Sequence, residues 1–137
     1  MKTLHKQVKY KDFEVDEELL PIIKDLNENG IETLYSCCGL DKDGDKTKTI
    51  EQKSDKNLDT YIVIENNPKG QLFINTLLIV QDIVLKDSNK IYYPFLNIGY
   101  SYKDKFRYDI HATMYCSFET FILLINTALD SLKRANI

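Results

Sequence analysis

No stretch of this chain approaches the roughly 18 consecutive apolar residues of a membrane helix, and the opening MKTLHKQVKYKDFEVDEELL lacks an apolar segment of signal-peptide length. Neither a membrane span nor secretion is expected, and the chain is expected in the cytoplasm. A basic surplus is also missing: Lys and Arg number 18 against 21 Asp and Glu, for a net charge of −3. A protein that neutralises many phosphates carries a clear basic excess, so duplex nucleic acid is disfavoured as a partner. Cysteine is scarce, with three residues and no framework spacing, which fits free thiols in a reducing compartment. There is no Gly-rich phosphate loop, no G-x-S-x-G and no H-E-x-x-H. The common local signatures of an enzyme are therefore missing, and no cofactor is expected.

What is present is an ordinary globular composition, 43% hydrophobic and 28% charged over 137 residues, which implies one domain spanning residues 1–137. The segment VDEELLPIIKDLNENG predicts a helix with Leu19, Leu20, Ile22, Ile23 and Leu26 on one stripe. Asp16, Glu17 and Glu18 suit its positive end, Pro21 belongs near its first turn, and Gly30 stops it. IETLYSC reads as a strand ending at Gly39, and TYIVIE as another. Between them, residues 40–59 form a long polar loop with almost no apolar anchor. Asn67 and Pro68 open a helix through about Leu85. Its stripe of Leu72, Phe73, Leu77, Val80 and Val84 is joined by Ile74, Leu78 and Ile79 partly outside it. Such a helix sits centrally in a core or at a subunit interface, the latter implying a homodimer with Ile74 and Leu78 in contact.

FLNIGYSYKDKFRYDIHATMYC reads as a β-hairpin around Lys103–Lys105. Pairing Tyr102 with Phe106 sets Tyr100 opposite Tyr108, Ile98 opposite Ile110 and Leu96 opposite Ala112, all on one face. Cys116 then falls on the core side with Met114 and Ala112. The other face carries Asn97 opposite His111, Gly99 opposite Asp109 and Ser101 opposite Arg107. A histidine near a carboxylate and a guanidinium can serve acid–base chemistry or grip a phosphate, so Asn97, Arg107, Asp109 and His111 form a candidate ligand-binding cluster. SFETFILLINTALDSLKRANI predicts a final helix capped by Ser117. The element order gives an α+β fold, a two-layer sandwich with an antiparallel sheet of about four strands and three helices mainly on one face.

Two further features bear on chemistry. DKDGDKTKTIEQ begins like a calcium-binding EF-hand loop, making Asp41, Asp43 and Asp45 candidate ligands. The likeness stops there, because Lys46 stands where the turn needs glycine and Gln52 where a bidentate glutamate closes the site. The adjacent Cys37 and Cys38 point to opposite faces if they lie in a strand, which disfavours a disulfide or shared zinc between them. Joining either to Cys116 and His111 requires a tertiary approach. Tyr92 and Tyr93 in IYYPF offer aromatic surface for protein contact.

The block with Gly30, Ile31, Thr33, Tyr35, Ser36, Cys37 and Gly39, followed by Tyr61, Ile62 and Ile64, resembles a group of short, poorly characterised bacterial and phage proteins. These carry a helix, then G-[IY]-x-T-x-[YF]-[SC]-C-x-G. The same turn is remotely similar to T-S-S-C-S-G-R in tRNA wybutosine-synthesising methyltransferases of the third type, with Leu40 here in place of the arginine. The resemblance implies an accessory protein of a bacterium, phage or mobile element. The expectation is that it binds a host protein or a small nucleotide-like ligand, as an inhibitor or anti-defence factor, without catalysis. The alternative is a nucleotide- or RNA-modifying enzyme using the Ser-Cys-Cys-Gly turn, with Ser36 and Cys37, or the His111 cluster. Cys37 and His111 are its candidate catalytic residues.

Overall fold

A computed structural model describes residues 5–53, 58–87, 94–100 and 107–135. It is the expected α+β sandwich. A sheet in the order β3 (Thr33–Cys37), β4 (Tyr61–Glu65), β6 (Arg107–Ala112), β5 (Leu96–Tyr100) is antiparallel throughout. Three helices, α1 (Leu20–Glu28), α2 (Pro68–Asp87) and α3 (Phe118–Arg134), supply the second layer. The sheet contributes Ile62, Ile64, Leu96 and Ile110 to the core, and the helices contribute Ile23, Leu26, Phe73, Leu77, Phe121, Leu124 and Ile125. Alternation along β4 and β6 leaves Tyr61, Val63 and Glu65, and Arg107, Asp109 and His111, on the face turned away from the helices.

An unforeseen element precedes this sandwich. β1 (Gln7–Tyr10) and β2 (Phe13–Asp16) form a separate hairpin. Asp16 therefore ends a strand instead of opening α1, and its buried carboxylate Oδ2 accepts the Cys38 N–H at 2.8 Å. Glu17 to Leu19 make a short 3-10 turn before α1, whose first turn holds Pro21 as expected.

The β5–β6 register is the one read from the sequence: Leu96 faces Ala112, Ile98 faces Ile110 and Tyr100 faces Tyr108. Ser101, Tyr102, the turn Lys103–Lys105 and Phe106 lie outside the described residues. The strand ends at Ala112, so Met114 does not share the core side; it is exposed, while Cys116 is buried. Gln81 of α2 is buried and its Oε1 accepts the Leu96 N–H at 2.6 Å, which ties the helix to the start of β5. In β3 the pairing slips between Thr33 and Tyr35, a bulge at Leu34.

Residues 40–53 are better anchored than their composition implies. Leu40 and Asp41 are buried, a 3-10 turn at Ile50–Gln52 has a complete capping box from Thr49 and Gln52, and the Glu119 N–H at the start of α3 donates to the Lys46 carbonyl at 3.0 Å. The polar stretch lies against the domain at both ends, since Leu58 and Thr60 are also buried.

Candidate functional site

Strand pairing builds one row of side chains across the helix-free face. Cys37 of β3 faces Tyr61 of β4, Tyr61 faces His111 of β6, and His111 faces Asn97 of β5. The Tyr61 and His111 rings lie side by side, centroids 5.2 Å apart and planes 31° from parallel. His111 Nδ1 is 2.6 Å from Asp59 Oδ2, just before β4. The hydrogen bond to Asp59 raises the His111 pKa above its ordinary value, against the opposing effect of burial, and the charges of Asp59 and Asp109 add to the rise. The Asp59 bond fixes the ring through Nδ1, while Nε2 has no hydrogen-bond partner among the described residues. Asp59 Oδ1 is buried and likewise has no hydrogen-bond partner among them.

Gly39 makes this placement of Asp59 possible. Its φ of +64° is in the left-handed region, and a Cβ there would overlap the backbone of Asp59 and Thr60. The turn after β3 thus presses onto the start of β4, and Thr60 Oγ1 closes it by donating to the Cys38 carbonyl at 2.7 Å. Lys53 is buried nearby, with Nζ 3.3 Å from the Leu58 carbonyl. Desolvation lowers its pKa, and the charges of Asp59 and Asp41 oppose the fall.

Beside the row, a cleft of about 250 Å³ separates β2 from β3. It is lined by Phe13, Glu14, Leu34, Tyr35, Ser36 and Tyr61, among others, so Tyr61 belongs to both the cleft and the histidine pair. A larger concavity of about 520 Å³ lies between α1 and α3 over Pro21, Ile22, Phe118 and Ile122, sharing no lining residue with the cleft. Size favours the second; the converging rings and titratable groups favour the first.

Of the residues singled out in the sequence, Asn97, His111 and Cys37 come together in the row. Asp109 and Arg107 follow on the same face of β6, with Arg107 Nε 3.4 Å from Asp109 Oδ1, an ion pair rather than a directed hydrogen bond. Ser36 sits opposite Ile62 and borders the cleft from β3. Cys37 is half-buried, and burial raises its thiol pKa, with the nearby Asp16 and Asp59 charges adding to the rise. Burial pushes the Cys116 thiol up to about 12, overriding any benefit of the helix start beside it.

The aspartate run behaves as a self-satisfied loop. Asp43 Oδ2 holds Lys48 Nζ at 2.6 Å, Asp45 Oδ1 accepts from the Thr47 N–H and hydroxyl, and Asp41 is buried. Their carboxylates do not form a convergent metal-binding group among the described residues. Ile74 lies in the core rather than on a surface, because it packs into the buried hydrophobic cluster; Leu78 is exposed, with Ile79 and Ile83. Tyr92 and Tyr93 lie outside the described residues. Among the described residues, no helix is long and apolar enough to cross a membrane.

Asp59, Tyr61 and Lys53 were not singled out by sequence reasoning as site residues. Pairing between β4 and β6 brings Tyr61 to His111, and local sequence carries no signal for that pairing. No family model, curated protein or solved structure matches the chain.

Proposed function

We propose that the protein binds a small, planar, nucleotide-like ligand on the helix-free face of its sheet, acting by sequestration. The observation that carries this reading is the paired Tyr61 and His111 rings, with Asp59 holding the imidazole through Nδ1. A flat heteroaromatic ring gains stacking on such a platform, and His111 Nε2 is left to meet a polar group of the ligand. Arg107 lies four residues along β6, about 13 Å at strand rise, within reach of a phosphate attached to a stacked base. The cleft of about 250 Å³ suits one ring better than a polymer, in keeping with the acidic net charge of −3. Such a role suits an accessory protein of a bacterium or phage.

Calorimetric titration with nucleobases, nucleosides and nucleotides tests this. Binding that weakens at least tenfold in Tyr61→Ala and in Asp59→Asn, with unchanged far-UV circular dichroism, is the expected result. If no compound of the panel binds, and the chain purified from its host carries none by native mass spectrometry, the reading fails.

A second reading, acid–base chemistry on the same ligand, is supported by the raised His111 pKa and the unengaged Nε2. Turnover lost in His111→Gln with binding retained distinguishes an enzyme from a binder.

A further inference from the structure

The second histidine lies in a different place and has a different problem. His5 Nε2 is 2.8 Å from the Asp41 carbonyl oxygen and 3.1 Å from that of Leu40. Carbonyls only accept, so Nε2 must carry a proton. In a neutral ring Nδ1 then bears a lone pair, yet it lies 2.7 Å from Glu18 Oε2, another acceptor. Two lone pairs at that separation require a cation between or beside them, either a proton or a metal. Cys38 Sγ completes a group of three donor atoms all within 4.8 Å of one another. The other Glu18 oxygen, Oε1, is buried and has no hydrogen-bond partner among the described residues.

We propose that His5 Nδ1, the Glu18 carboxylate and Cys38 Sγ form a three-ligand zinc site. One thiolate, one carboxylate and one neutral imidazole balance the charge of a divalent ion. The sulfur and imidazole donors select zinc over calcium or magnesium, which take oxygen. The carbonyls on Nε2 fix the tautomer and ring orientation, as the outer partners of metal-bound histidines do. The ligands come from three segments: His5 two residues before β1, the turn between β2 and α1, and the residue after β3. An ion there joins the N-terminal hairpin to the sheet. Glu18 also lines the 520 Å³ concavity between α1 and α3, which gives the ion an entrance and leaves room for water as the fourth ligand. Because the thiolate is the metal ligand, binding the ion displaces the Cys38 thiol proton to buffer.

The test is titration of the chelator-treated full chain with cobalt(II), followed by zinc. One cobalt per chain is expected, with a thiolate-to-cobalt charge-transfer band, four-coordinate visible bands and displacement by zinc. The band should vanish in Cys38→Ser and persist in Cys37→Ser and Cys116→Ser. Glu18→Gln, which preserves volume, should weaken binding at least tenfold with unchanged circular dichroism. Should Cys38→Ser fail to fold, cadmium NMR of the unaltered chain decides, since the shift must report one sulfur ligand. Absence of binding below millimolar metal, a band that survives Cys38→Ser or follows Cys37, or a cadmium shift without sulfur overturns the proposal.

Discussion

The two histidines sit at nearly the same distance from a carboxylate, 2.6 Å for His111 and Asp59 and 2.7 Å for His5 and Glu18, yet they are wired for different tasks. His111 and Asp59 are 36% and 34% exposed, and the pair keeps one ring nitrogen available toward the helix-free face. His5 and Glu18 are 12% and 22% exposed, and both ring nitrogens of His5 meet acceptors. The first pair can release or engage its proton in answer to a ligand. The second is held in place by backbone from an adjoining loop and needs a cation of some kind to exist at all. Strand alternation separates the two further. Cys37 goes to the first pair's face and Cys38 to the second pair's group, so neighbours in the chain belong to unrelated chemistry.

The largest expected effect breaks both environments together. Gly39→Ala puts a Cβ into the backbone of Asp59 and Thr60 at a positive φ. It should cost at least about 2 kcal/mol in urea unfolding and abolish ligand binding with it. Next, the two histidines should separate in stability. His5→Ala strips the partner from two carbonyls and Glu18 and should cost about 1–3 kcal/mol. His111→Ala, at a half-exposed pair, should cost less than about 1 kcal/mol at neutral pH, and paired urea melts compare them. Equal costs would erase the distinction between the sites.

A smaller effect depends on pH. Because the folded His111 pKa is raised above the ordinary histidine value of about 6.5, its pairing with Asp59 stabilises the fold fully below that value. The stabilisation is lost as pH rises through the raised folded pKa. The gap between wild type and His111→Ala should therefore be widest in mild acid and close on the alkaline side, with an NMR titration of the imidazole reporting the same pKa. The smallest effect is kinetic. Half-buried Cys37 should be alkylated before buried Cys38 and Cys116, whose thiols lie near 12. Those two should react at least about a hundredfold more slowly than a free thiol, as peptide mass mapping over time can show.

Much of the sandwich was legible because apolar periodicity states it directly: the α1 and α3 stripes and the β5–β6 register follow from which positions must be buried together. The first hairpin was not legible. Its two-residue turn puts Lys11 at φ +55°, a conformation usually marked by glycine or asparagine, and its strands are only four residues each, half of them polar. Missing the hairpin meant reading Asp16 as part of a helix start and leaving His5 unread. On the helix-free face, His111, Asn97, Arg107 and Asp109 followed from hairpin alternation alone. Tyr61 and Asp59 depend on β4 inserting between β3 and β6, a nonlocal pairing that residue pattern does not specify.

The bulge at Leu34 has a consequence for the life of the molecule among others. β3 is an edge strand, with Leu34 and Tyr35 largely exposed, and a regular ladder there would offer its free N–H and C=O groups to any extended chain. The slip between Thr33 and Tyr35 breaks that ladder's spacing and twists the strand locally. A foreign strand cannot add in register along its length, so the edge beside the cleft is guarded against amyloid-like growth while its tyrosine remains accessible.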